Sequence, residues 1–170
     1  QDGNSSGLSA INSPYEPGST LKPFTVAALL GLNLASMADS VDGENGQWRV
    51  VGRTVTDVHK MGPMTLADAL RESSNVGVAK MALRLNSSQQ YQALRDFGFG
   101  SPTGLEIPGE AAGTLRRPQH WSGQSPVSLA IGYEIGVTPI QMVMAYAALA
   151  NGGRLMEPRL VRELRSPQGD

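Results

Sequence analysis

The chain has 170 residues, of which 40% are hydrophobic and 17% charged, so it has the size and composition of one folded domain. Its net charge of −1 gives no field that would gather nucleic acid, and the absence of cysteine excludes disulfide and thiolate chemistry. The two histidines lack neighbours at metal-binding spacing. We therefore expect no nucleic-acid partner, no metal and no cofactor.

The first residues, Gln1 to Ser9, are polar and rich in Gly and Ser. They have neither the basic start nor the apolar stretch of a signal peptide, and they predict a loop or a cut end. No run of the chain approaches the roughly 20 apolar residues that span a bilayer.

The stretch Tyr15 to Phe24 predicts a turn that leads into a buried helix. Pro17-Gly18 is a turn pair, and the apolar run that follows ends at Gly31. Because proline is tolerated only in the first turn of a helix, Pro23 predicts that the helix begins at about Ser19 or Thr20.

Ser19 and Lys22 stand three residues apart at this helix start, so both side chains lie near one face. The helix end stabilises negative charge at Ser19. A lysine in apolar surroundings loses its proton readily and can act as general base for a hydroxyl. This is the Ser-x-x-Lys arrangement of serine acyl-transferases, although a serine at a helix start, taken alone, is more often only a cap.

Two short segments then predict a small β excursion, Trp48 to Val51 and Arg53 to Thr56, with a bend or bulge at Gly52. His59 and Lys60, which follow Asp57, resemble a catalytic pair, but the turn Gly62-Pro63 beside them favours a structural loop.

Thr65, with Asp68 three residues later, predicts the capped start of a helix that runs from Leu66 to Glu72. The helix is interrupted at Ser73-Ser74-Asn75, because these short polar residues favour caps and turns. A second helix is predicted from Val76 to about Leu85. The interruption is either a rigid mount for Ser73 and Asn75 or an ordinary helix break.

Further along, Ser87 as cap and Gln90 as its box partner predict a helix that ends at Gly98. Residues 98 to 121 predict a long loop, which in a compact domain is either functional or anchored. Thr138, Pro139 and Gln141 predict the start of a last helix that runs to Ala150. We expect this helix to be buried on most sides and to pair with the Ser19 helix at the centre of the core.

The stretch Tyr15 to Phe24 closely resembles the active-site segment of penicillin-binding proteins. The segment Arg53 to His59 resembles the one that precedes their second motif in cell-division transpeptidases, and Ser73 to Gly77 is similar to that motif, Ser-x-Asn. The regions 131–141 and 145–153 resemble the helical part that follows. The resemblance implies a class B enzyme with the α+β fold that serine β-lactamases share with penicillin-binding transpeptidases.

The resemblance also implies a mechanism. Ser19 would attack the penultimate D-alanine of a peptidoglycan stem peptide, with Lys22 as base, Ser73 passing the proton to the leaving group and Asn75 binding the substrate backbone. An amine from a second stem would then take the acyl group, and β-lactams would acylate the same serine. Such enzymes work with division or elongation proteins at the outer face of the cell membrane.

The family has a third motif, Lys-Ser/Thr-Gly, on a strand of a five-stranded sheet, and no such tripeptide occurs here. We therefore expect residues 1–170 to be a partial transpeptidase domain, mainly its helical subdomain. The membrane anchor, the pedestal and most of the sheet would be missing. Because the oxyanion hole would lack a donor, we expect weak activity at best.

Three alternatives stay open. A serine β-lactamase would need a base that activates water, for which Glu106 and Glu110 are the only acids in the long loop. A D,D-carboxypeptidase would use water in place of the acceptor amine. A non-catalytic helical scaffold would need none of these side chains.

Overall fold

The computed structural model describes residues 8–161, so the predicted N-terminal loop lies almost entirely outside the described residues, as does the last part of the tail. The described chain consists of helices and short strands, and the strands pair antiparallel, two by two. The α-helices are α1 Ser9–Asn12, α2 Lys22–Gly31, α3 Leu66–Arg71, α4 Asn75–Ala82, α5 Ser87–Asp96, α6 Ser125–Ala130 and α7 Pro139–Ala150. The strands are β1 Ser40–Asp42, β2 Gln47–Val50, β3 Arg53–Thr56, β4 Pro63–Thr65, β5 Thr114–Leu115 and β6 Ile135–Gly136.

Within residues 8–161, every sheet has two strands: β1 with β4, β2 with β3 and β5 with β6. The predicted β excursion is confirmed as the β2–β3 hairpin, in which Val50 pairs with Arg53. Val51 and Gly52 between them both have positive φ, 46° and 76°, so they form a two-residue turn rather than a bulge. The structure is thus rich in helices with a minor β part.

Helix α2 lies between two parts of the hydrophobic core. Its residues Val26 and Leu29 pack with α3 and α4, in a cluster that includes Leu66 and Val78. On another side, Phe24 contacts the rings of Phe97, Phe99 and Tyr146 edge-on, at centroid distances of 4.8, 5.3 and 4.9 Å. This burial holds the start of α2, where Lys22 is located, in a fixed position.

Two helix starts follow the predicted capping boxes and one does not. Thr65 with Asp68 and Thr138 with Gln141 exchange the expected side-chain and backbone hydrogen bonds. The prediction for α5 was wrong by one residue, because Asn86 is the cap and Gln89 closes the box. Asn is as good a cap as Ser, and the displaced Gln90 is buried and donates to the Pro126 carbonyl instead.

The long loop between α5 and α6 is anchored by a buried side chain. Gln141 of α7 donates to the carbonyls of Ser101 and Ala112, at 2.7 and 2.9 Å. The loop also closes on itself, since Glu110 accepts hydrogen bonds from the backbone and hydroxyl of Thr103, each 2.6 Å long. Glu110, one of the two acids considered as a base for water, thus has a structural role.

The expectation that α7 is buried on most sides was wrong. Met142, Ala145 and Ala148 are buried, but Val143, Tyr146 and Leu149 are exposed by 60%, 41% and 37%. At the start of α2, Tyr146 contacts Phe24 and donates to the Thr20 carbonyl, but the main partners of α2 are α4 and α5, so α7 is not the central partner that was expected. The apolar composition of α7 therefore did not predict its burial.

Candidate active site

The 3₁₀ turn Gly18–Leu21 carries Ser19 and passes directly into α2. The Ser19 carbonyl accepts the backbone N–H of Lys22, so the α-helix begins three residues after the serine rather than at Ser19 or Thr20 as predicted. Pro23 falls within the first turn of the helix, as its missing N–H requires. Ser19 itself is exposed, which leaves its hydroxyl accessible to a ligand.

Backbone contacts from residues 132 and 137 hold the turn that carries Ser19. The N–H of Gly18 donates to the carbonyl of Gly132 over 2.9 Å, and a Cβ added to Gly132 would lie 2.0 Å from the Gly18 oxygen. Tyr15 and Val137 exchange two backbone hydrogen bonds of 2.9 Å beside it. The segment 131–137 thus supports the serine turn, and only glycine fits at position 132, where the two backbones meet.

Lys22 is almost completely buried, with 1% of its surface exposed. Its amine donates to the Ser73 carbonyl and, over 3.0 Å, to the Ser73 hydroxyl. Burial lowers the pKa of Lys22 from 10.5 to about 8, and the negative charge of Asp57 partly opposes that change. A substantial fraction of the amine is therefore neutral near pH 8 and can accept a proton.

The predicted break between two helices is confirmed at Ser73-Ser74-Asn75. Ser73 adopts a left-handed conformation with φ of 56°, which is uncommon for a residue other than glycine. Ser74 caps α4 by accepting the N–H of Gly77 over 2.8 Å. Such strained backbone often accompanies a functional role. Here it accompanies the contact of both Ser73 oxygens with the Lys22 amine.

Asp57 holds the start of α4 in place, a role that sequence reasoning missed. Its carboxylate accepts hydrogen bonds from the Ser74 hydroxyl at 2.6 Å and from the backbone N–H groups of Asn75 and Val76 at 2.5 and 3.0 Å. A carboxylate at a helix N-terminus is stabilised by the free N–H groups there. The family resemblance of Arg53 to His59 was the available signal for this role, since no spacing rule connects Asp57 with residues so far along the chain.

Asn75 is half-buried, and its side-chain amide donates to the Thr56 carbonyl over 2.8 Å. This bond and the Asp57 contacts join the helix break to the end of β3. The predicted residues Lys22, Ser73 and Asn75 are therefore brought together. Within residues 8–161, the side chains of Ser19 and Lys22 share no hydrogen bond. The two residues are joined by the backbone bond between the Lys22 N–H and the Ser19 carbonyl at the start of α2.

The arrangement combines an accessible hydroxyl with a buried amine of lowered pKa and a second hydroxyl in contact with that amine. These groups are suited to nucleophilic attack with proton transfer. Among residues 8–161, no group of three or more side chains could hold a metal ion. In the same part of the chain, no helix has the length and apolar character that crossing a membrane requires.

Comparison with known proteins places these observations in a family. The model of the penicillin-binding protein transpeptidase domain matches residues 2–169. Penicillin-binding protein PbpB of Mycobacterium tuberculosis is 36% identical over 165 residues, which cover 96% of this chain and 24% of that protein. Peptidoglycan D,D-transpeptidase FtsI of Escherichia coli is 34% identical over 146 residues, covering 84% and 24%.

Solved structures agree with the sequence relatives. Penicillin-binding protein 3 of Mycobacterium tuberculosis in complex with ampicillin has a TM-score of 0.87 and 34% identity, over 96% of this chain and 36% of that one. The apo transpeptidase domain of penicillin-binding protein 3 of Burkholderia pseudomallei has a TM-score of 0.85 and 31% identity, over 87% and 45%. The chain spans about a quarter of the length of the curated relatives it matches.

Proposed function

The chain belongs to the family of penicillin-binding protein transpeptidase domains, and from that premise we propose that it cross-links peptidoglycan through a serine acyl-enzyme. The observation that carries the proposal is the buried Lys22 amine, with a pKa of about 8, in contact with Ser73 and three residues after the exposed Ser19. The D,D-transpeptidase names of the relatives support it.

In the first step, the Ser19 oxygen bonds to the carbonyl carbon of the penultimate D-alanine of a stem peptide. The neutral Lys22 amine takes the serine proton, and the bond to the terminal D-alanine breaks. Ser73, which already accepts a hydrogen bond from Lys22, relays the proton to the departing amine. Asn75 hydrogen-bonds the peptide backbone of the substrate beside the serine.

In the second step, an amine of a neighbouring stem peptide attacks the ester carbonyl, and Ser19 regains its proton through Lys22. The cross-link forms and the enzyme returns to its starting state. β-Lactams follow the first step only, because the leaving amine stays attached to the acyl group. We propose that the reaction takes place at the outer face of the cell membrane, with division or elongation proteins as partners.

The test is detection of a covalent penicillin adduct by intact mass, on the unsubstituted protein and on Ser19→Ala, over several hours. We expect a slowly formed, stable adduct that the Ser19→Ala variant lacks. Glu106→Gln serves as a control, since an adduct that decays quickly only when Glu106 is present would indicate β-lactamase chemistry. An adduct on both proteins, or on neither, would contradict the proposed role of Ser19.

A further inference from the structure

Glu134 lies in the segment 131–137, which supports the Ser19 turn, and it has a backbone conformation that residues other than glycine rarely adopt. Its φ is 59°, in the left-handed region that is uncommon and strained for a residue other than glycine. It follows Gly132, whose carbonyl accepts the N–H of Gly18, by two residues. The position thus retains a glutamate where glycine would fit the backbone better.

The Glu134 carboxylate has several partners on other parts of the chain. It accepts a hydrogen bond from the Ser125 hydroxyl at 2.7 Å and pairs with the guanidinium of Arg116. Burial raises the pKa of Glu134, but hydrogen bonds from Ser125 and Ser128 and the charge of Arg116 outweigh it and hold that pKa below 4.5. The group is therefore a fixed anion at neutral pH.

The same network continues to β3. The Ser128 hydroxyl, which is buried, accepts a hydrogen bond of 2.7 Å from Arg53. Arg53 begins the strand that ends at Thr56, directly before Asp57, which holds the start of α4. The Glu134 carboxylate is thus connected through α6 to the element that carries the second motif.

The backbone of Glu134 points in the opposite direction, toward the nucleophile. Its N–H donates to the carboxylate of Glu16 over 2.9 Å, and Glu16 lies three residues before Ser19. The turn 132–134 therefore contacts the serine segment twice, at Gly18 and at Glu16. The contacts with Gly18 and Glu16 both require the turn 132–134 to keep its position. The Glu134 side chain holds that position by binding Ser125 and Arg116.

We propose that Glu134 is a positioning residue, whose carboxylate holds the turn 132–134 against the serine segment so that Ser19 is presented in line with the amine of Lys22. The inference rests on the proposed acylation of Ser19. Glu134 itself touches neither substrate nor a reacting atom, and it acts through the backbone of Gly132 and Gly18.

Replacing Glu134 by glycine distinguishes the effect of its side chain from the effect of its backbone conformation. Glu134→Gly removes the carboxylate but relieves the left-handed strain, so a purely conformational role would be preserved or improved. Glu134→Gln keeps an acceptor for Ser125 and loses only the charge. Glu44 is a matched control, since it also has positive φ (51°) and pairs with a cation, Lys80, at 2.6 Å.

The experiment measures penicillin acylation and backbone hydrogen exchange in the four variants Glu134→Gly, Glu134→Gln, Glu44→Gly and Glu44→Gln. For Glu134→Gly we expect an acylation rate constant lowered about tenfold, with the dissociation constant of the non-covalent complex within about twofold. Amides of residues 15–22 should exchange faster. Glu134→Gln should fall between this variant and the unsubstituted protein, and the Glu44 variants should match the latter.

Acylation and exchange at unsubstituted values in Glu134→Gly would overturn the inference. An equal effect of Glu44→Gly would also overturn it, because the slower acylation would then follow from losing any glutamate of this kind and not from the position of Glu134. If the unsubstituted protein forms no adduct, the proposed function fails. Exchange in residues 15–22 then decides alone whether Glu134 holds the turn, and unchanged exchange overturns its positioning role.

Discussion

The amine of Lys22 lies 3.0 Å from the hydroxyl of Ser73, although 51 residues separate the two in the sequence. The same amine donates to the Ser73 carbonyl. Lys22 is buried at the start of α2, and Ser73 sits in the break before α4, so this contact fastens the two motifs together. Its consequences can be measured as pH dependence, stability and rate.

The acylation rate constant should rise with pH, with a midpoint at about 8, and level off at higher pH. Burial lowers the pKa of Lys22 to about 8, and only its neutral amine can accept the serine proton. The measurement is the rate of penicillin adduct formation between pH 6 and 10. Lys60→Met, which changes an exposed lysine in a loop, should give the same profile. A midpoint close to 10.5, the ordinary pKa of a lysine side chain, would show that burial does not lower the pKa of Lys22.

Lys22→Met should change how stability depends on pH. The pKa of Lys22 is about 8 when folded, below the ordinary lysine value of 10.5, so the unfolded state binds more protons between these values. The free energy of unfolding of the unsubstituted protein should therefore gain up to about 3 kcal/mol from this group as pH rises from 8 to 10.5. Below pH 8 the full cost of burying the charge is present.

Urea denaturation at pH 7 and at pH 10 measures this difference. Lys22→Met should lack the contribution, so its stability relative to the unsubstituted protein should be highest at pH 7 and decline toward pH 10. A constant difference between the two proteins at both pH values would contradict the lowered pKa.

Asp57→Asn should lower the midpoint of the acylation profile below about 8. The charge of Asp57 raises the pKa of Lys22, so its removal leaves burial less opposed. The variant should also lose about 1–3 kcal/mol of stability, because one amide cannot replace a carboxylate that accepts from Ser74, Asn75 and Val76. Adduct kinetics across pH and urea denaturation check the two effects. An unchanged or higher midpoint would refute the electrostatic link.

Gly132→Ala should slow acylation by about a hundredfold, since its Cβ would lie 2.0 Å from the Gly18 oxygen and displace the turn that carries Ser19. Gly153→Ala is the matched control. Gly153 has a similar φ, 90° against 85°, but open space around its Cβ position. It should bear the same backbone strain with an unaltered rate. Equal rates in the two variants would show that the contact between the two turns is not needed.

Tyr146→Phe should cost about 1 kcal/mol and slow acylation only a few-fold. Its hydroxyl donates to the Thr20 carbonyl over 2.9 Å, next to Ser19, while its ring contacts Phe24. The substitution removes the bond and keeps the ring. Thermal denaturation and adduct kinetics provide the check. A loss as large as that of Tyr146→Ala would assign the whole effect to the hydroxyl, and no loss at all would show that its hydrogen bond contributes nothing.

Local features were predicted well because their interactions lie within a few residues. The capping boxes of Thr65 and Thr138 each join residues three apart, and the helix break at Ser73 follows from short polar side chains. The α5 cap was misplaced because Asn86 and Ser87 are adjacent and both are good caps. Here local preference left two solutions one residue apart.

The sequence by itself determined two helix caps, the helix break at Ser73 and the family, because each of these depends on short runs of neighbouring residues. Tertiary structure alone decided the low pKa of Lys22, the role of Asp57 and the exposed side of α7. Burial and hydrogen bonding between distant segments set these properties. They depend on which distant segments come into contact after the chain has folded, and neither composition nor residue spacing predicts those contacts.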